Sequence, residues 1–169
     1  MSVADFSRRS ELTTERGESF LVSPLASDDA DRLGAAFAGI DPWATYGYAA
    51  ETLAKFLAIQ EPGAQRIGFI AGGKAIGAAV VRPGWLRGPY LQFFALLPEA
   101  QGHGMGSAFL SYMESEARAA RERNLWVAAS QINDGAIRLY ERHGFTRIAD
   151  LEDLAWDGRT EILFRKRLT

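Results

Sequence analysis

The stretch PEAQGHGMGSAFLSYM, Pro98 to Met113, decides how this chain is read. Gly102, Gly104 and Gly106 alternate with His103 and Met105. From there Met105, Phe109, Met113 and Ala117 recur at helical spacing. Clustered glycines cost conformational entropy on folding, so a structural return is expected, and close approach of the backbone is one. At a helix start the uncovered N–H groups converge on an anion, aided by the helix dipole. Just before the turn, PYLQFFALLP (Pro89–Pro98) reads as a long apolar strand buried on both faces and ended by Pro98. The unit is strand, turn, helix.

Working outward, LWVAAS (Leu125–Ser130) is a second buried strand, and NDGAIRLYERHG a short helix. Asn133 is its N-cap, Asp134 favours its positive end, Arg142 and His143 its last turn, and Gly144 ends it. Two closing strands, FTRIADL and TEILFRKRL, flank the acidic loop EDLAWDG. Upstream, SFLVSPL is a strand, and DDADRLGAAFAGI a helix capped by Ser27. The aromatic loop DPWATYGY leads into a helix from about Ala49 that presents Leu53, Phe56 and Leu57. RIGFIAGG and KAIGAAVVRPG form a hairpin around Gly72 and Gly73. Glu114 and Arg118 make a favourable i,i+4 pair. The hairpins require antiparallel neighbours and the β-helix-β unit a parallel pair. The expected fold is therefore α/β (α+β): a mixed, mostly antiparallel central sheet with helices on both faces. Residues 1–15 read as a loose tail and 16–169 as a single domain.

The totals narrow the function. A chain of 169 residues suits one domain with a sizeable core. The net charge of −2 gives no support to nucleic-acid binding. Without cysteine there is no disulfide, thiolate metal site or cysteine nucleophile, and two histidines do not make a histidine-rich metal site, so no metal is expected. No apolar run reaches the ~18 residues of a membrane span, and the N-terminus lacks a signal-peptide core. A cytoplasmic location is expected.

The glycine turn admits more than one anion. A phosphate loop fails, because G-x-x-x-x-G-K-[ST] is absent. A dinucleotide fingerprint, and with it a nicotinamide oxidoreductase, fits poorly: Ser107 stands at the third glycine, and four residues separate the strand from Gly102. QGHGMG, by contrast, resembles the Q/R-x-x-G-x-G/A signature of the GNAT superfamily of N-acetyltransferases, with Gln101, Gly104 and Gly106 at its fixed positions. The strand FFALLPEAQ resembles the strand before that signature. Asn133–Phe145 resembles the family's second motif, N-x-x-A-x-x-x-Y-E-x-x-G-F. The order and separation of the motifs and the order of the elements agree.

The resemblance implies an acyl-CoA N-acyltransferase fold with two central parallel strands splayed around acetyl-CoA. It implies cofactor contacts at Gln101, Gly102, His103, Gly104, Met105, Gly106 and Ser107, through main-chain amides on the pyrophosphate. Leu96 pairs with the pantetheine amides, and its strand-end N–H serves as an oxyanion donor. Asn133 and Ala136 flank the pantetheine arm, and Tyr140 protonates the leaving thiolate. No metal is required. The implied reaction is direct attack by a primary amine, within a ternary complex. The acceptor is a small molecule, an amino acid derivative or a peptide amine. The alternative is a non-catalytic CoA-binding or sensor domain. The implied partners are acetyl-CoA and the amine acceptor, with no nucleic acid and no membrane. Homodimers are frequent in the family, and nothing in the sequence sets an interface.

Two positions depart from well-known branches, where a glutamate base stands. Here they are Tyr90 and Ala128. The proton then leaves through water or through Asp41, Glu51 or Glu152. The resemblance puts the acceptor between the loop joining the first helices and the last hairpin. Trp43, Tyr46 and Tyr48 offer an aromatic wall suited to a cation. Asp150, Glu152, Asp153 and Asp157 offer negative charge.

Overall fold

Period-two burial runs through the middle of the chain, and a single eight-stranded sheet results. The computed structural model describes residues 3–168. The strands are β1 (Ser10–Thr13), β2 (Ser19–Pro24), β3 (Gln65–Ala71), β4 (Lys74–Trp85), β5 (Gly88–Leu96), β6 (Asn124–Ser130), β7 (Thr146–Glu152) and β8 (Thr160–Arg167). The helices are α1 (Ser27–Phe37), α2 (Trp43–Tyr46), α3 (Ala50–Ala58), α4 (Met105–Ala119) and α5 (Asp134–Arg142), with a 3₁₀ turn at Pro98–Ala100. The order across the sheet is β1-β2-β3-β4-β5-β6-β8-β7. Every neighbouring pair is antiparallel except β5 and β6.

The alternation along β4 explains the two layers of helices. Ala79 and Val81 join a core with Phe69, Phe109, Met113, Val127 and Phe164 on the α4 side. Ala78 and Val80 join another with Leu33, Phe37, Leu53, Leu57 and Phe93 on the side of α1 and α3. α1 and α3 pack closely: a Cβ added at Gly34 would lie 2.4 Å from the Ala54 backbone nitrogen. The Gly72 and Gly73 hairpin forms as expected, both residues at positive φ, between Ala71 and Lys74.

Three expectations are corrected. Residues within the expected loose tail form β1, which pairs with β2. Phe6 is fully buried there, and Gln65 binds the Ala4 carbonyl and the Phe6 amide. The sequence shows few apolar residues in that stretch, but Ala4 and Phe6 are buried and Leu12 packs against the core. Ser27 is the first residue of α1 and not its cap; Ala26 holds the cap position without a side-chain bond. The aromatic loop contains the short helix α2, closed by Gly47 at φ 70°.

The parallel joint is short. Tyr90 pairs with Trp126 and Leu91 with Val127, and the pairing extends no further. A bulge in β5 opposite Val80 and Val81 falls at this point. Beyond it β5 follows β4 and β6 follows β8, so the two strands diverge.

Candidate functional site

The gap left by that divergence is the start of a cleft of ≈ 1030 Å³. On one wall, the bond from the Leu97 amide to the Ile76 carbonyl fixes the hydrogen-bonding phase of β4 and β5. Gly77 opposite Leu96 and Ala79 opposite Phe94 are then non-bonded pairs. The N–H and C=O groups of Phe94 and Leu96 consequently turn away from β4, toward β6. The sheet therefore has an edge in its own interior.

At one end of this edge stands the glycine turn. Gly102 has φ 78° and Gly104 φ 86°, and Gly104 caps α4 with no side-chain bond. Glycine takes both conformations without the strain a Cβ would bring. The first amides of a helix have no intrahelical acceptor. Among the described residues, those of Gly102 to Ser107 find no other backbone acceptor. Gly106 serves packing instead: a Cβ there would lie 3.1 Å from Leu139 and 3.4 Å from Phe94. The Gln101 amide donates to the Leu96 carbonyl at 3.0 Å. His103 Nδ1 lies 3.1 Å from Glu18 on β2's approach loop.

α5 supplies the floor. Asn133 is its N-cap as expected, accepting from the Ala136 amide at 3.1 Å. Tyr140, 4% exposed, packs its ring against Phe145 and Phe164. Its hydroxyl has no hydrogen-bond partner among the described residues. Burial pushes its pKa far above the ordinary tyrosine value, with Tyr90 adding to the effect.

The far end of the cleft is built by α2, β6 and β8. Ser130 and Glu161 are directly opposite in the β6–β8 register. The Tyr46 hydroxyl is hydrogen-bonded to Ser130 and donates to Glu161 at 3.4 Å. Burial raises the Glu161 pKa, and the bond from Tyr46 opposes that rise. Burial likewise raises the pKa of Tyr90. Trp43 lies between Phe37 and Phe93, with ring centroids 6.0 and 4.9 Å away. Tyr48 meets Trp156 of the β7–β8 loop edge-on at 5.7 Å.

The cleft thus gathers Leu96, Gln101 to Ser107, Asn133, Ala136, Tyr140, Trp43, Tyr46 and Tyr48. Glu152 is not brought in: it is exposed at the end of β7. Nor do the acids of the EDLAWDG loop line the cleft, which that loop reaches only through Leu154 and Ala155. Asp150 pairs with Arg147 at 2.6 Å, and Asp153 accepts from the Gly158 amide at 2.6 Å, so these acids serve local structure. Asp41 reaches the cleft but accepts from both the amide and the hydroxyl of Thr45. The Tyr46 ring already carries a cation, the Arg159 guanidinium 5.4 Å from its centroid.

Glu161, Ser130 and Arg159 are functional candidates that motif reading misses. The available signal was the single carboxylate of the closing strand TEILFRKRL. Its value depends on β8 lying beside β6 and not at the sheet edge, and chain order does not reveal that. Among the described residues no cluster of histidine, aspartate and glutamate is arranged to hold a metal. Among these residues no helix is long and apolar enough to cross a membrane.

Known proteins share this fold. A family model described as the acetyltransferase (GNAT) family matches residues 18–145. The structure of Ard1 from Thermoplasma volcanium aligns with a TM-score of 0.70 at 18% identity, over 89% of this chain and 98% of that one. The ribosomal-protein-S18-alanine N-acetyltransferase from Escherichia coli aligns at 0.69 and 22%, over 89% and 94%. Nourseothricin acetyltransferase aligns at 0.57 and 27%, over 64% and 67%. The first two likenesses bear on the fold alone.

Proposed function

The chain belongs to the GNAT family of acetyltransferases, and on that footing we propose that it moves the acetyl group of acetyl-CoA to a primary amine. The observation that carries the proposal is the interior sheet edge at Phe94 and Leu96, ending at a turn of unpaired amides. A chain of amide groups adds to such an edge as a further strand. An anion suits the start of α4. The residues present therefore fit the cofactor, which supplies the acetyl group as an activated thioester.

In this reading the work falls to the protein's own groups. The amides of Gly102 to Ser107 hold the pyrophosphate. Leu96 and Phe94 align the pantetheine arm, and Asn133 and Ala136 flank it. The Leu96 N–H donates to the acetyl carbonyl oxygen as negative charge builds there. Tyr140 gives its proton to the departing sulfur, and burial keeps it protonated until then. The amine enters between α2 and the β7–β8 loop, within reach of Tyr46, Tyr48 and Glu161.

A panel of alkylamines, diamines, amino acid amides and peptides with free N-termini, supplied with acetyl-CoA, tests this. Release of CoA together with an acetylated product identified by mass is expected. Binding of acetyl-CoA with no product from any amine would instead mark a binding module.

A further inference from the structure

We propose that Glu161 receives the ammonium group of the acceptor and takes its proton. This rests on the acetyltransferase reading and adds the residue that makes the amine reactive.

Glu161 lines the cleft from β8, a strand that carries neither family motif. The sheet pleat puts Glu161 on the same face as Leu163 and Arg165, and its neighbour Ser130 on the same face as Ala128 and Trp126. That face belongs to the α2 side, because Tyr46 reaches down to both Ser130 and Glu161. The methyl of Ala128 is all that β6 adds next to Ser130. Tyr90 on β5 interacts electrostatically with Glu161 and also with Tyr140.

The second observation is what Glu161 lacks. Of the other acids discussed above, Asp41, Asp150 and Asp153 each have a partner, and Glu152 and Asp157 lie outside the cleft lining. Glu161 is half-buried, forms no ion pair among the described residues, and accepts only a long bond from Tyr46. Arg159, which precedes β8, sits over the ring of Tyr46 and forms no ion pair with Glu161. A desolvated carboxylate without a counter-ion favours a ligand that brings one. An amine enters as the ammonium at neutral pH and must lose a proton before it can attack.

The step balances simply. An N–H bond of the ammonium breaks, its electron pair stays on nitrogen, and the proton bonds to a carboxylate oxygen of Glu161. Neutral amine and carboxylic acid result, and the acid returns its proton to water at the partly exposed side of the strand. The charged and titratable groups around Glu161 are Tyr46 from α2, Tyr90 from β5 and Arg159 preceding β8.

The test compares pH profiles of kcat/KM for wild type, Glu161→Gln and Glu161→Asp, with n-butylamine, lysine amide and an alanine-initiated dipeptide amide as acceptors. The rise in melting temperature on adding CoA is measured in parallel. Glu161→Gln is expected to lose about 100-fold at pH 7. Its rate should then climb about tenfold per pH unit toward the pKa of the free amine. Glu161→Asp should keep the wild-type acid limb with a smaller loss. The CoA-induced shift should be unchanged in both. An active wild type with Glu161→Gln within threefold of it and the same profile overturns the proposal alone. Loss of the CoA-induced shift in Glu161→Gln also overturns it, by showing a structural role. A wild type that binds CoA but acetylates none of the three overturns it together with the acetyltransferase reading.

Discussion

The side-chain amide of Gln101 donates to the backbone carbonyl of Leu96 at 3.0 Å, tying the glycine turn to the last residue of β5. The bond fixes where the strand edge stops and the turn amides begin. Gln101→Ala should therefore weaken acetyl-CoA binding about fivefold, the worth of roughly one net hydrogen bond, and leave kcat within twofold. Titration calorimetry with acetyl-CoA, beside steady-state kinetics, reads both.

Tyr140→Phe removes a hydroxyl that has no partner among the described residues. Stability should stay within about 0.5 kcal/mol of wild type, since the ring contacts with Phe145 and Phe164 survive. kcat should fall about 100-fold with acetyl-CoA affinity unchanged. The variant also reports on pH. Because the folded-state pKa is raised above the unfolded value of about 10, wild type should lose stability as pH rises past that value. Tyr140→Phe should lose less, by thermal melts across alkaline pH.

Glu114 on α4 binds Lys166 and Arg118, joining the helix to β8. Burial works against its charge, but the bonds from Lys166 and Arg118 prevail and lower its pKa. Its stabilisation is thus present above the unfolded value of about 4.3 and lost as pH falls through the lower folded value. Glu114→Gln should lower the melting temperature at pH 7 and flatten its acid dependence below pH 5.

Gly34→Ala tests close packing against helix propensity. Alanine gains about 1 kcal/mol in a helix interior. The added carbon would meet the Ala54 backbone at 2.4 Å, and backbone cannot rotate aside as a side chain does. Packing should win by about 2 kcal/mol, lowering the melting temperature by about 4–8 °C.

How far the sequence reached follows from the range of each signal. The turn, the cap at Asn133, the Gly72 hairpin and the face of α4 rest on residues a few positions apart, and each stands in the structure where it was read. The strand β1 leaves little trace because SELT carries a single apolar residue, Leu12, and so shows no alternation, although its partner β2 follows closely in the chain. The acid at the acceptor end was sought in the loop before Arg159, since four acids there outnumber one on a strand. Of those, Asp150 and Asp153 serve local structure through Arg147 and the Gly158 amide, whereas Glu161 gains its place only because β8 inserts beside β6. Non-sequential pairing is a property of the whole sheet and leaves no local trace.

The short ladder between β5 and β6 also has a mechanical meaning. Two residue pairs join a five-stranded plate to a three-stranded one, which is a seam and not a continuous weave. What holds the plates together is α4, whose Phe109 and Met113 share a core with Val81 and Leu91 on one side and Val127 and Phe164 on the other. The helix acts as a dowel across the seam. The sheet can therefore stay parted at its centre without coming apart.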